Sequence, residues 1–328
     1  MTGRSVLITG VSGQDGRLLT GRLAEDADRI VGVVPLDTSD ELLDELASAD
    51  NVSVVRAELS DTAVCRQLIS DIRPDTVFHL AAISSVGKSW ELPVETSQLN
   101  GMASVALMAQ CLELAEKDRH PVRFVNCSSA EIFGSATQVP QNEDTPLRPN
   151  SPYGVSKAFA HLMADTFRSR GLWVSNAILY NHESTLRPEA FVTRKITKTV
   201  AAIATGAADT LRLGNLDARR DWGWAPDYVD CLVRMSRHAT CDNFVIATGE
   251  SHSVRDFVAT AFAAAGIDDW EPLVEVEAGL IRPADAADLV GDASKARSVL
   301  GWQPTVGFQQ IVENMVSADL RLAAAAAS

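Results

Sequence analysis

The chain has 328 residues, 46% of them hydrophobic and 22% charged, which is enough to bury a large core. Its formal net charge of -14 argues against nucleic acid and anionic membrane surfaces as partners, because both repel an acidic protein. There is no run of 18 apolar residues, so no membrane span is expected. The N-terminus does not have the pattern of a signal peptide.

The cysteines and histidines indicate neither a disulfide framework nor a metal site. The five cysteines have no CxxC spacing, and the six histidines are scattered along the chain. We therefore predict reduced thiols, a cytoplasmic location and no bound metal.

Short β-type runs alternate with helical patterns through the first 180 residues. Strands are predicted over residues 4–11, 28–36, 51–59, 76–82, 122–129 and 173–180. Helices are predicted over residues 16–26, 63–72, 100–117 and 151–171, with a further acidic helix between the second and third strands. This alternation predicts parallel βαβ units, and hence an α/β fold built on a doubly wound parallel Rossmann sheet. After about residue 186 the alternation loosens, where we expect a smaller, interleaved ligand-binding part.

The segment "ITGVSGQDG" places Gly10, Gly13 and Gly16 directly after the first strand. Such glycines allow a tight turn and let the backbone approach a pyrophosphate at the start of the next helix. A plain strand-to-helix turn is the alternative interpretation. The predicted cofactor-binding residues are Gly10, Gly13, Gln14, Asp15, Gly16, Asp37, Glu58, Leu59, Leu80, Ala81, Ala82, Tyr153 and Lys157.

The choice between NAD and NADP depends on the end of the second strand, "VGVVPLDTSD". It carries no Arg or Lys for a 2′-phosphate, whereas the carboxylate of Asp37 could bind a free ribose diol. The sequence therefore slightly favours NAD, with NADP as the alternative and a solvated turn as the other role for Asp37.

The segment "SPYGVSK" places Tyr153 and Lys157 four residues apart, on one face of a helix. A neighbouring lysine cation lowers the pKa of a phenol, which can then act as a general base. Ser129, 24 residues upstream at a strand end, could hydrogen-bond the same oxygen. On its own the spacing is common on helix surfaces, but after a glycine loop it indicates catalysis.

The stretch "FVNCSSAEIFGS" places the carboxylate of Glu131 just beyond a buried strand. A carboxylate there is unfavourable unless it is hydrated, paired or used in chemistry. Glu131 is therefore either a loop or helix-cap residue or a catalytic acid–base group.

These motifs together resemble the extended short-chain dehydrogenase/reductases. Within that superfamily, "SSAEIFG", "SPYGVSK", "NHES", "FVTRKI", "LGNLDARRDWG" and "FVIATGESHSVRDFV" are similar to the GDP-mannose 4,6-dehydratase family, over residues 5–320. The resemblance implies that residues 1–186 form the NAD(P)-binding Rossmann domain, to which segments near 223–254 and 288–312 return. Residues 187–328 would then mainly bind the nucleotide sugar.

The resemblance also implies a reaction and roles for four residues. In that family a tightly held cofactor takes a hydride from C4 of the sugar and returns it to C6, so that it is regenerated in each turnover. Tyr153 would remove the O4 proton, Lys157 would hold the nicotinamide ribose, and Ser129 would hydrogen-bond O4. Glu131 would remove the C5 proton and protonate the departing O6.

The substrate implied is a GDP-hexose. The implied substrate-binding residues are Ser84, Asn181, Val192, Lys195, Arg220, Arg282 and Asp285. Among them, Arg220 and Arg282 would clamp the diphosphate, for which arginine is well suited. We expect His182 to be structural.

The sequence departs from the family pattern in places. "PLDTSD" replaces two arginines that bind the 2′-phosphate and form a tetramer contact, which leaves NADP and a tetramer open. The helix that carries Tyr153 and the helix at 100–117 look apolar enough to pair with those of a second copy, and the resemblance implies that such pairing makes a homodimer. Burial of these helices within one chain is the alternative. Ala130, Phe133 and the segment "TLRP" differ near the sugar, which leaves its identity open. The alternatives are a GDP-4-keto-6-deoxyhexose reductase, a nucleotide-sugar 4-epimerase, or a non-catalytic nucleotide-binding protein.

Overall fold

The computed structural model describes residues 4–277, 279 and 289–326. The strands in this part of the chain are β1 (Ser5–Thr9), β2 (Arg29–Val34), β3 (Val52–Arg56), β4 (Thr76–His79), β5 (Arg123–Ser129), β6 (Trp173–Leu179), β7 (Asn181–Glu183), β8 (Leu211–Leu213), β9 (Arg219–Arg220), β10 (Trp222–Trp224), β11 (Asn243–Ile246), β12 (His252–Ser253) and β13 (Val274–Val276). The helices are α1 (Gln14–Leu23), α2 (Asp40–Leu46), α3 (Thr62–Ile72), α4 (Val86–Glu91), α5 (Pro93–Ser97), α6 (Ala103–Lys117), α7 (Pro152–Ser169), α8 (Val192–Ala204), α9 (Ala225–Arg237), α10 (Val254–Ala264), α11 (Ser294–Leu300) and α12 (Phe308–Ala326).

Seven strands form one parallel sheet in the order β11-β6-β5-β4-β1-β2-β3. Strand β1 lies near the middle, and the chain winds outward from it in both directions. The central strands β1 and β4 are buried along nearly their whole length because helices cover both faces of the sheet. This arrangement confirms the predicted doubly wound α/β fold.

Two hydrophobic cores enclose the sheet. One face packs against α1, α9 and α11, and the other packs against α3, α6 and the middle of α7. A third core lies outside the sheet, where α8, α10 and α12 pack around Trp222 and Phe257. Although they lie between α8 and α10 in the sequence, α9 and β11 join the core of the main sheet and the sheet itself. The domain boundaries given above remain a prediction.

The segment before α6 is more helical than the sequence pattern indicates. Two short helices, α4 and α5, precede a π-helical turn at Gln98–Met102 that leads into α6. Pro93 is the first residue of α5, where a backbone N–H would make no hydrogen bond within the helix, so proline is tolerated there. No helix within residues 4–277 and 289–326 is long and apolar enough to cross a membrane.

Candidate active site

A cavity of about 750 Å³ opens at the carboxyl ends of the sheet strands, where ligands bind in doubly wound folds. Most of the predicted site residues line it, namely Gly10, Gly13, Gln14, Asp15, Gly16, Glu58, Leu59, Leu80, Ala81, Ala82, Ser84, Ser129, Glu131, Tyr153, Lys157, Asn181, Val192, Lys195 and Arg220. Asp37 lies in an exposed turn and is absent from this lining. Arg282 and Asp285 lie outside the described residues.

The glycine loop joins β1 to α1 in a tight turn that leaves no room for side chains at Gly10 and Gly16. Gly10 has a φ of +73°, and a β-carbon at Gly16 would lie 2.4 Å from the Gly10 carbonyl oxygen. Gly13 is the N-cap of α1, so the first backbone N–H groups of the helix are available to an anion. The cavity also reaches the ends of β2 and β3, at Val34 and beyond Arg56. These residues fit a dinucleotide, with its pyrophosphate at the start of α1.

Ser129 and Glu131 are placed by the end of β5. The strand ends at Ser129, whose hydroxyl accepts a hydrogen bond of 3.2 Å from the backbone N–H of Glu131 and caps a 3₁₀ turn at Ala130–Ile132. A β-carbon at Gly154 would lie 2.6 Å from the Glu131 carbonyl oxygen. The start of α7 can therefore pack directly on this turn only because residue 154 is glycine.

Tyr153 and Lys157 occupy the first turns of α7. The Ser151 hydroxyl caps the helix by accepting from the Gly154 N–H, and the Ser89 hydroxyl accepts from the Tyr153 N–H at 3.1 Å. The ammonium of Lys157 is buried and donates a hydrogen bond of 2.8 Å to the carbonyl oxygen of Cys127 in β5. Both side chains therefore face the cavity from one side of the helix.

The pKa of the Tyr153 phenol differs from the sequence-based expectation. Burial raises this pKa to about 12, hydrogen bonding from Ser129 opposes the rise, and the negative charge of Glu131 adds to it. Burial also lowers the pKa of Lys157. The predicted lowering of the phenol pKa is thus outweighed by loss of solvent. Glu131 and Tyr153 line the same cavity.

The other end of the cavity is formed by the outer part of the chain. Asn181 begins β7, Val192 and Lys195 lie on the first turn of α8, and Arg220 lies on β9, which pairs with β12. This end of the cavity carries the cations Lys195 and Arg220, although the net charge of the chain is negative. A local positive charge of this kind is what an anionic ligand requires.

Arg187 is a cavity residue that the sequence analysis did not assign. Its guanidinium lies 3.1 Å from the carboxylate of Glu183 and 3.7 Å from the ring centroid of Phe191. It lines the same cavity, and its charge lowers the pKa of Tyr153. The segment "TLRP", which differs from the family pattern and contains the one arginine of that loop, could have indicated Arg187 as a cavity residue.

His182 is buried between the glycine loop and the outer part of the chain. It bonds Asp15 of α1 at 2.8 Å and the Tyr180 carbonyl at 2.7 Å, and its ring stacks on Tyr228. His182 also lines the cavity, so this packed residue lies beside the candidate ligand site. Across the described ranges, no group of acidic, His or Cys side chains could hold a metal ion.

The fold and cavity first define a class. The glycine-rich turn after β1 is one feature of a nicotinamide-dependent short-chain dehydrogenase/reductase. The other is a Ser–Tyr–Lys set in one cavity, with Ser129 at the end of β5 and Tyr153 and Lys157 on α7. Within that class the chain belongs to the GDP-mannose 4,6 dehydratase family, whose model matches residues 7–315. The resemblance stated from the sequence is thereby confirmed.

Relatives are similar over nearly their whole length. GDP-mannose 4,6 dehydratase 1 of Arabidopsis thaliana is 38% identical over 326 residues, covering 97% of this chain and 90% of the relative. The GDP-mannose 4,6 dehydratase of Homo sapiens is 36% identical over 341 residues, covering 96% and 91%. A solved UDP-glucose 4-epimerase of Thermus thermophilus, in complex with NAD, is 25% identical with a TM-score of 0.81 and covers 96% and 98%.

Proposed function

We propose that this chain is a nucleotide-sugar 4,6-dehydratase that converts GDP-mannose to GDP-4-keto-6-deoxymannose with loss of one water. The observation that carries the proposal is the position of Glu131. Its carboxylate shares a cavity with Ser129, Tyr153 and Lys157 and acts electrostatically on the Tyr153 phenol. Dehydration needs proton transfer at two parts of one sugar ring, and this site supplies a phenol and a carboxylate. Family membership supports the same assignment.

Tyr153 is the group that takes the O4 proton. The bound nicotinamide supplies the chemistry of accepting a hydride from C4 and returning it to C6. Ser129 hydrogen-bonds the phenol and lowers its pKa against the effect of burial. Lys157 is held at β5 by its hydrogen bond to the Cys127 carbonyl oxygen, and from there its ammonium would hold the ribose of a bound nicotinamide and would favour the phenolate form of Tyr153.

Glu131 is the group that carries out the elimination. Once C4 is a ketone, the proton on C5 becomes acidic, and the Glu131 carboxylate removes it. The same carboxyl then protonates the hydroxyl that leaves C6 as water, so the proton taken from C5 departs with the leaving group. Return of the hydride to C6 leaves C5 one proton short, and the proton that Tyr153 took from O4 makes up this balance. Tyr153 is thereby restored to its starting state, and the C4 ketone is retained.

Incubation of the purified protein with GDP-mannose and no added reductant tests the proposal. A product lighter by one water and carrying a ketone is expected. Unchanged sugar nucleotide, from folded protein that carries its cofactor, would contradict the substrate assignment. A requirement for added NADH or NADPH would instead favour the reductase alternative, and inversion at C4 would favour the epimerase.

The diphosphate of the substrate is proposed to lie among the cations of the outer cavity. Arg220 and Lys195 line that end, and Arg187 adds a third positive charge. Arginine suits phosphate because its guanidinium can donate two parallel hydrogen bonds. The roles of Arg282 and Asp285 remain predictions from the resemblance.

We propose NAD as the cofactor, as the sequence slightly favours. The Asp37 carboxylate is exposed outside the cavity lining, which weakens its predicted part in binding the ribose. Arg56, at the end of β3, donates to the Thr38 carbonyl and pairs with Asp40, so this cation is already engaged. Mass spectrometry of the nucleotide released from purified protein decides the matter, and NADP would contradict the proposal.

A homodimer is proposed through α7 and the segment that precedes α6. Large apolar side chains are exposed there, with Val155 at 54%, Phe159 at 41%, Leu162 at 55% and Met102 at 45%. Such a contiguous apolar face on a water-exposed helix favours association. Sedimentation should give a dimer, and Phe159→Glu should give a monomer. A wild-type monomer would refute the proposal.

A cytoplasmic location is also proposed. All five cysteines are free thiols, and Cys65, Cys111, Cys127 and Cys231 are buried. Free thiols are typical of reducing compartments. Fractionation of cells that express the native chain would test it, with recovery in a secreted fraction as the contrary result.

A further inference from the structure

Two side chains of the glycine loop bond the strand that begins the outer part of the cavity. The carboxylate of Asp15 lies 2.8 Å from Nε2 of His182, and Gln14 donates to the His182 carbonyl oxygen at 3.1 Å. The Ser184 hydroxyl in turn donates to the Gln14 side-chain oxygen at 2.8 Å. We call this set the β7 clasp: Gln14, Asp15, His182 and Ser184. It joins α1 to β7 across more than 160 positions of sequence.

The hydrogen bonds of His182 define its charge. Nε2 faces a carboxylate oxygen of Asp15, and Nδ1 faces the Tyr180 carbonyl oxygen at 2.7 Å. Both partners can only accept, so both ring nitrogens must donate, and only the imidazolium does so. His79 provides a contrast, because the Thr9 hydroxyl accepts from two backbone N–H groups and therefore donates its proton to the His79 ring.

The surroundings of the pair agree with this charge. Burial alone would lower the pKa of His182, but the Asp15 carboxylate outweighs it, and the pKa is raised. Burial alone would raise the pKa of Asp15, but His182 outweighs it, and that pKa is lowered. The positive charge of Arg187, in the loop after β7, lowers the pKa of both His182 and Asp15. On the other side, the ring of Tyr228 from α9 stacks on the His182 ring.

Asp15 lies in the first turn of α1, at the helix end that fits a pyrophosphate. An uncompensated carboxylate at this place would repel the two phosphates. We propose that His182 is a positioning residue whose positive charge cancels that of Asp15 beside the dinucleotide, so that the β7 clasp both retains the cofactor and fixes Asn181 at the sugar. This inference rests on the proposed dinucleotide site.

The clasp gives a specific pH dependence. The two accepting partners hold His182 as the imidazolium, and because its pKa is raised this charge persists to a higher pH than in a free imidazole and is lost as the pH rises through the raised pKa. Asp15 then keeps its negative charge without a partner. At an effective dielectric constant of about 20, we expect roughly a 10- to 30-fold weaker affinity for the dinucleotide.

The test measures binding of NADH and of NADPH by nicotinamide fluorescence, from about pH 7 to about pH 10. Wild-type affinity should fall over this range, whereas Asp15→Asn should lose much less, because only the loss of the Lys157 charge, whose pKa is lowered by burial, then remains. His182→Gln should bind weakly already at about pH 7, and the double variant Asp15→Asn/His182→Gln should recover affinity. The control variant His120→Asn, at a partly buried position outside the cavity lining, should behave as the wild type.

Two results would overturn the inference. If Asp15→Asn loses as much affinity at alkaline pH as the wild type, His182 does not act by compensating the Asp15 charge. A double variant that binds no better than His182→Gln would contradict the same claim. Thermal melting of each variant checks folding, and if His182→Gln is unfolded, the isosteric Asp15→Asn decides alone. Failure of the wild type to bind either dinucleotide would instead contradict the proposed function.

Discussion

Replacing Glu131 by Gln should separate the two halves of the proposed reaction. Gln has the shape of Glu, and the turn that carries it depends on a backbone N–H bonded to Ser129 rather than on the carboxylate. The substrate should therefore bind and lose its O4 proton to Tyr153. The neutral amide cannot then take the C5 proton, so the reaction should stop with the nicotinamide reduced.

The expected size of the loss follows from the role. A positioned general acid–base group contributes about 10²- to 10⁴-fold in rate, which corresponds to about 3 to 5 kcal/mol of barrier. The charge of Glu131 also raises the pKa of Tyr153. Its removal should therefore lower that pKa and shift the alkaline rise of the oxidation step to lower pH.

Single-turnover absorbance of the reduced nicotinamide is the assay. Glu131→Gln should accumulate this absorbance after GDP-mannose is added and form little product. Tyr153→Phe should show neither absorbance nor product while retaining its cofactor, because the first proton transfer is lost. Wild-type turnover by Glu131→Gln would refute the assignment of this carboxylate.

Two further predictions concern the cofactor turn and the outer core. Gly16→Ala should weaken dinucleotide binding by at least about tenfold, or 1.4 kcal/mol, because the added β-carbon would clash with the loop backbone. The control Gly21→Ala lies on the same helix, and its β-carbon would have no atom within 4 Å, so this variant should bind the dinucleotide normally. Equal binding by both would contradict this. Asp319→Ala should destabilise the chain by about 3 to 5 kcal/mol in urea unfolding because it leaves the buried Arg194 charge unpaired. The exposed Glu113→Ala should change stability by less than about 1 kcal/mol, and similar losses for the two variants would count against the argument.

Local patterns were sufficient to predict the sheet and the glycine turn, whereas the predicted residues at the substrate end of the cavity came from the family resemblance. The alternation of strands and helices predicts the parallel order around β1, and Gly10 to Gly16 mark the turn because a side chain would not fit there. Tyr153 and Lys157 form a local pattern through their helical spacing, which indicates catalysis because a glycine loop precedes it. Each of these predictions depends on residues close together in sequence.

The features that were missed depend on contacts distant in sequence or on burial. The bond between Asp15 and His182 joins residues 167 positions apart, and no local pattern indicates it. Arg187 reaches the cavity because its loop folds back over Phe191. The raised pKa of Tyr153 reflects the loss of solvent around the finished site, whereas the sequence shows only a nearby lysine. Asp37 has a suitable residue type, but its exposed turn lies outside the cavity lining.

The central claim is that hydrogen moves within one sugar, from C4 to C6, while water is lost. Turnover of GDP-mannose deuterated at C4, followed by magnetic resonance of the product, tests it most directly. The account predicts a 4-keto-6-deoxy product with the deuterium on C6, formed without added reductant. A product that retains deuterium at C4, or that carries none at C6, would contradict it.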